Sequence, residues 1–160
     1  MELLFRKGAS IGALNNDNET PLHSAVVCRN RNSDTRAVEL LLERGASIEA
    51  KGKGKNTPLH LAIQFGHTRK VELLLKKGAS IEAMDEDNNT PLHLAALSSS
   101  GAVKLLLEKG ASIEAVNKDN NTPLQLIKNA LVIEAEMMDK YGPRLNGQGE
   151  KRAFIGLMRT

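Results

Sequence analysis

An all-α solenoid of stacked helix-turn-helix units joined by hairpin-like loops is the fold class this sequence predicts, on three observations. Thr-Pro-Leu-His stands at 20–23, 57–60 and 90–93, with Thr-Pro-Leu-Gln at 122–125. Gly-Ala-Ser stands at 8–10, 45–47, 78–80 and 110–112, and both series advance by 37, 33 and 32 residues. Two unrelated markers that keep one register mean that one structural unit has been repeated. Third, a composition of 41% hydrophobic and 26% charged residues suits a folded chain, and no apolar run approaches the roughly 18 residues of a membrane span.

The elements of a unit follow from local chemistry. Thr20, Thr57, Thr90 and Thr122 are N-caps, whose hydroxyls accept an amide of the first turn. Pro21, Pro58, Pro91 and Pro123 follow at the first helical position, where the missing N–H is harmless and the fixed φ suits a helix. Gly66-His67 breaks the first helix of its unit, and Val71, Leu74 and Leu75 then form an apolar stripe at helical spacing. Gly8, Gly45, Gly78 and Gly110 lie just past the second helices, where a left-handed residue closes free carbonyls. The connecting loops are rich in Asn, Asp and Gly. Asn18, Asn88 and Asn120 share one loop position that suits left-handed φ, and Lys55 stands there in the second loop, which is therefore expected to be strained or reshaped with help from Gly52 and Gly54.

A unit of about 33 residues, built as loop, Thr-Pro-Leu-His-Leu-Ala, short turn and Val-Glu-Leu-Leu-Leu-Lys-Lys-Gly-Ala, resembles the ankyrin repeat. Residues 57–79 match that pattern nearly position by position, and a weaker match covers about 1–126. The resemblance implies an elongated stack whose loops form a row of fingers, histidines at 23, 60 and 93 that tie neighbouring units together, and recognition of protein partners by the concave face.

The chain divides into a partial repeat at 1–14, repeats at 15–51, 52–84 and 85–116, a degenerate capping repeat at 117–143 and a basic tail at 144–160. Residues 1–10 align with 71–80, a second helix lacking its first, so the chain reads as a fragment of a longer protein or as starting at an internal Met; an edge that folds back or dimerises is the alternative to a monomer. The repeat at 15–51 carries about four additional residues at 30–34, expected to bulge between its helices. The repeat at 85–116 is one residue short at 98–101, so its turn should be tighter. In the last unit Gln125 replaces the histidine and Gly-Ala-Ser does not return. The tail reads as a short amphipathic helix covering the last repeat, with a membrane-surface or partner-docking segment as the alternative.

Charge and chemistry narrow the function. The formal charge is +3, but five cations against Glu150 give +4 from residue 140 onward, leaving −1 on the repeat body. With one cysteine, Cys28, no internal disulfide forms, and a reducing cytoplasmic setting fits. Packed helices lie about 8 to 10 Å apart, whereas zinc ligands sit about 2 Å from one ion, so His23, His60 and His93 are read as structural and no metal or cofactor is expected. Asp85, Asp87 and Asp119 lack the distal Glu of a calcium loop and are read as solvated. No phosphate loop or nucleophile elbow appears, and the chain is read as no enzyme. Lys51, Lys53 and Lys55 form a basic finger, but single-strand binders also need stacking aromatics, and only Phe5, Phe65, Tyr141 and Phe154 exist. An acidic protein partner is preferred over nucleic acid for that finger.

Binding residues in a stack are those that vary where the frame repeats. These are Leu14, Asn16 and Glu19, then Lys51, Lys53 and Asn56, then Met84, Glu86 and Asn89, then Val116, Lys118 and Asn121 on the fingers. Val27, Cys28, Gln64, Phe65, Leu97 and Ser98 end the first helices, and Phe65 stands out as a large apolar residue at an exposed position, with packing on the insert at 30–34 as its structural alternative. The function so implied is a protein-binding scaffold or adaptor; the alternative is the repeat portion of a larger enzyme or regulatory protein.

Overall fold

The computed structural model describes residues 10–28, 35–98, 101–130 and 132. The half-unit at 1–9, the insert at 30–34 and the tail at 144–160 lie outside the described residues, as do residues 99–100 of the short turn.

Six helices run in pairs: α1 (Pro21–Val27) with α2 (Arg36–Glu43), α3 (Pro58–Gln64) with α4 (Thr68–Lys76), and α5 (Pro91–Leu97) with α6 (Ala102–Glu108). Helix resumes at residues 123–130. The first helices stack as α1 on α3 on α5, and α4 touches α6. The described residues contain no β-strand, so the architecture is an all-α repeat solenoid. None of these helices is long and apolar enough to cross a membrane.

Helices of seven to nine residues are too short to persist alone, so they depend on packing. The leucine after the helix-opening proline is buried at Leu22, Leu59 and Leu92 but 52% exposed at Leu124 of the last unit, and the second helices bury Val38, Leu41, Val71, Leu74 and Leu106. All the buried ones belong to one continuous core, each such side chain contributing about 1.5–3 kcal/mol. The helix-ending glycines take the left-handed conformation, with Gly45 at φ 85, Gly78 at 92 and Gly110 at 88. After α4 the amides of Gly78 and Ala79 close on the Leu75 and Leu74 carbonyls. In the short repeat α6 starts at Ala102, the position that Lys70 holds in α4.

The four fingers share one backbone scheme. Asn15, Gly52, Asp85 and Asn117 each donate an amide to the carbonyl four residues on, at 2.9–3.1 Å. Asn18, Asn88 and Asn120 are left-handed, and Lys55 joins them at φ 55. Three fingers are braced by a side chain: the Oδ1 atoms of Asn15, Asp85 and Asn117 each accept two backbone amides of their own loop. Asp85 is therefore buried and engaged, which corrects its reading as a solvated loop carboxylate.

The second finger has Gly52 at this bracing position. A Cβ there would stand 3.0 Å from Glu19 Cγ and 3.3 Å from His23 Nε2, so a side chain would crowd the first unit and those neighbours would have to shift. This finger instead winds a short 3-10 turn at Lys53–Lys55, with Gly54 also left-handed at φ 64. The expected reshaping with glycine help is present, and Lys55 retains the strain. Lys55→Asn should raise stability by about 0.5 to 1 kcal/mol, because Asn tolerates this φ better than Lys does; a shift of the urea midpoint to higher concentration checks it.

Candidate functional site

The repeated histidines carry the polar connection between units. Each imidazole accepts the amide of its own N-cap threonine at Nδ1, 3.1 Å for Thr20 and His23, 3.2 Å for Thr57 and His60, and 3.1 Å for Thr90 and His93. At Nε2 each ring then donates to the next finger, from His23 to the Asn56 carbonyl, His60 to Asn89 and His93 to Asn121, at 2.9–3.2 Å. Both ring nitrogens are thereby engaged, leaving no lone pair for a metal or for proton transfer. Gln125 preserves the local half of the device, since its Oε1 accepts the Thr122 amide at 2.7 Å. Among the described residues no cluster of three metal-ligating side chains occurs.

A second tie was not foreseen. Lys70, only 1% exposed, donates from Nζ to the carbonyls of Ala25, Val26 and Cys28 at 3.1, 3.0 and 2.6 Å. His67 Nε2 reaches the Val27 carbonyl between them at 3.3 Å. The cause lies at the end of α1, where Cys28 is extended and no glycine follows in the left-handed region. In α3 Gly66 does this at φ 70, letting Gly66 and His67 amides return to the Ile63 and Ala62 carbonyls. The free carbonyls of α1 are closed instead by a cation from the next unit. The available signal was Lys70 standing where the other units have Ala37 and Ala102.

The residues singled out as variable fall into two groups. Glu19, Asn56, Asn89 and Asn121 are at most half-exposed and serve the frame: three of them supply the carbonyls that the histidines bind. Asn89 Oδ1 also accepts Asn117 Nδ2 at 3.0 Å. At the preceding pair, Asp85 occupies the place of Asn117 and has no N–H to offer, and the Asn56 Oδ1 atom is buried without a partner. Ser98 Oγ donates to the Ala95 carbonyl, and Gln64 and Leu97 are half-buried.

The other group faces solvent. Leu14, Met84 and Val116 are 62%, 48% and 50% exposed, Phe65 is 41% exposed, and Asn16, Lys51, Lys53, Glu86 and Lys118 are exposed as well. Leu14 lines one groove with Ser24, Ala25 and Cys28, so in the first unit the finger base and the end of α1 border the same groove. Phe65 stacks on His67 with ring centroids 6.4 Å apart. Lys53 pairs with Asp17 at 3.3 Å and Lys118 with Asp87 at 3.9 Å, each across to the preceding finger. The basic finger is thus partly neutralised by its neighbour.

A family model described as ankyrin repeats in three copies matches residues 1–85 and again residues 30–119. No curated protein matches the chain.

Two outcomes test the ties. Lys70→Met should lower stability by about 2 to 3 kcal/mol, since hydrogen bonds from a charged donor are worth about 1.5–3 kcal/mol, while Lys76→Met on an exposed face should change it by less than about 0.5 kcal/mol; denaturant unfolding compares them. Burial lowers the His60 pKa below its ordinary 6.5, outweighing the Asn89 carbonyl and Asp85, which raise it. The unfolded chain then binds the proton more readily, so stability is full above about pH 6.5 and declines as pH falls below it. Urea midpoints at successive pH values should show that decline, and His60→Gln should flatten it.

Proposed function

This chain belongs to the ankyrin-repeat family, and from that premise we propose that it is a non-catalytic scaffold or adaptor whose concave face holds a protein partner. Ankyrin repeats are generally protein-interaction modules. The observation that carries the reading is the separation of side chains into a repeating buried frame and a variable exposed set. The threonines, prolines, histidines and leucines of the frame spend their polar groups and apolar area on one another. Phe65, Leu14, Met84 and Val116 instead leave large apolar surfaces in solvent on non-repeating positions. Exposed apolar groups gathered on one face are a mark of an interaction site, and aromatic anchors dominate interface energetics.

The test is titration of partners recovered by cross-linking through a photoreactive residue at position 65, with exposed position 76 at the end of α4 as control. Phe65→Ala should weaken binding by about 1 to 2 kcal/mol, the loss typical of a truncated anchor. Lys51→Glu should slow association and flatten its salt dependence; it is a cleaner probe than Lys53→Glu, which would also break the pair with Asp17. Circular dichroism serves as the folding control. Unchanged affinity in both folded variants would move the site off the concave face.

A further inference from the structure

One position recurs at the base of every finger: Leu14, Lys51, Met84 and Val116, each immediately before the residue that opens the loop. All four are exposed, and none makes a side-chain bond within the frame. We propose that these four side chains form one row of subsites for an extended peptide segment with apolar residues opposite Leu14, Met84 and Val116 and a single carboxylate opposite Lys51. The proposal rests on the protein-binding reading above and names the chemistry of its partner.

Spacing sets the form of the segment. Stacked helices stand about 8 to 10 Å apart, and an extended chain in the polyproline II conformation advances about 3.1 Å per residue with about three residues per turn, so about three residues span one unit and every third side chain faces the row. The segment accordingly reads apolar, two free, acidic, two free, apolar, two free, apolar. An amphipathic helix needs a broad apolar stripe. The strip along each finger is one residue wide, because the position two residues on is Asn16, Lys53, Glu86 or Lys118.

Charge fixes the register. Lys51 is the one cation in the row, and the flanking fingers present Glu19 on one side and Glu86 on the other, the Asp17 and Asp87 carboxylates being paired with Lys53 and Lys118. A carboxylate is attracted at the second subsite and repelled at its neighbours, so attraction and repulsion both enforce one alignment. A uniformly acidic partner, the expectation from the three lysines, meets that same repulsion. The row is also held rigid, since the Glu86 amide donates to the Gly54 carbonyl at 2.8 Å and the Lys118 amide to the Asp87 carbonyl at 2.9 Å, while Lys53 and Asp17 bridge the first two fingers. Rigid placement before binding lowers the ordering entropy that a flexible surface would lose.

The experiment is panning of a random linear fifteen-residue peptide library against the intact chain, followed by fluorescence anisotropy of the enriched peptides. The expected result is enrichment of the third-residue spacing. Leu14→Ser and Met84→Ser should each weaken the peptide at least about tenfold, and Lys51→Glu should invert the preference from glutamate to lysine at the second subsite. Circular dichroism and urea midpoints establish that the variants fold. Enrichment of a seven-residue spacing, or of peptides indifferent to all three substitutions, would overturn the row while leaving protein binding intact. Absence of any enriched peptide would also overturn it, and the protein-binding reading would then be decided by the Phe65 titration alone.

Discussion

The fold depends on an imidazole that faces two ways. A first helix of seven residues gains little from its own hydrogen bonds, and its N-terminus exposes amides that need acceptors. His60 satisfies the Thr57 amide with one nitrogen and binds the next finger with the other, so helix capping and unit stacking become a single event. Because the ring must be neutral to accept at Nδ1, the same device makes the stack sensitive to acid. Glu49 and Glu82 add a parallel polar rail, each accepting the amide of Ser80 or Ser112 in the following unit at 2.7 Å.

Where a unit departs from the pattern, its neighbour compensates. The first repeat lacks a closing glycine after α1, and Lys70 with His67 reach back from the second repeat to hold four successive carbonyls. The second finger lacks the bracing side chain that Asn15, Asp85 and Asn117 provide, and a glycine-rich 3-10 turn takes over, tied forward through Gly54 and back through Lys53. Each correction crosses a unit boundary. In a stack whose parts contact only their neighbours, that is where a local defect is repaired at least expense to the rest.

This division of labour leaves the variable finger positions Leu14, Lys51, Met84 and Val116 exposed. The frame residues of the central units are committed to capping or packing, so there the residues that differ between units carry the chemical identity of the surface. The exposed set is apolar at three finger bases and cationic at the second, Lys51, with polar or charged residues beside them and paired rather than free charges at Lys53 and Lys118. Such a surface favours shape and apolar fit over bulk electrostatics.

Position in the chain was enough to establish the repeat, the helix boundaries at Thr-Pro and the left-handed glycines, because each rests on local geometry repeated in register, whereas the inter-unit role of the histidines came from the resemblance to ankyrin repeats. The left-handed state of Lys55 was also legible, by comparison with Asn18, Asn88 and Asn120. Periodicity could not show that Asn56, Asn89 and Asn121 serve the frame, nor that Asp85 is buried, because their partners come from the chain folding back on itself or from the adjacent unit. Lys70 is the sharpest case. In sequence it is a charged residue at the start of an amphipathic helix, and only stacking, which sets α4 beside the open end of α1, turns it from a solvated cation into a buried one.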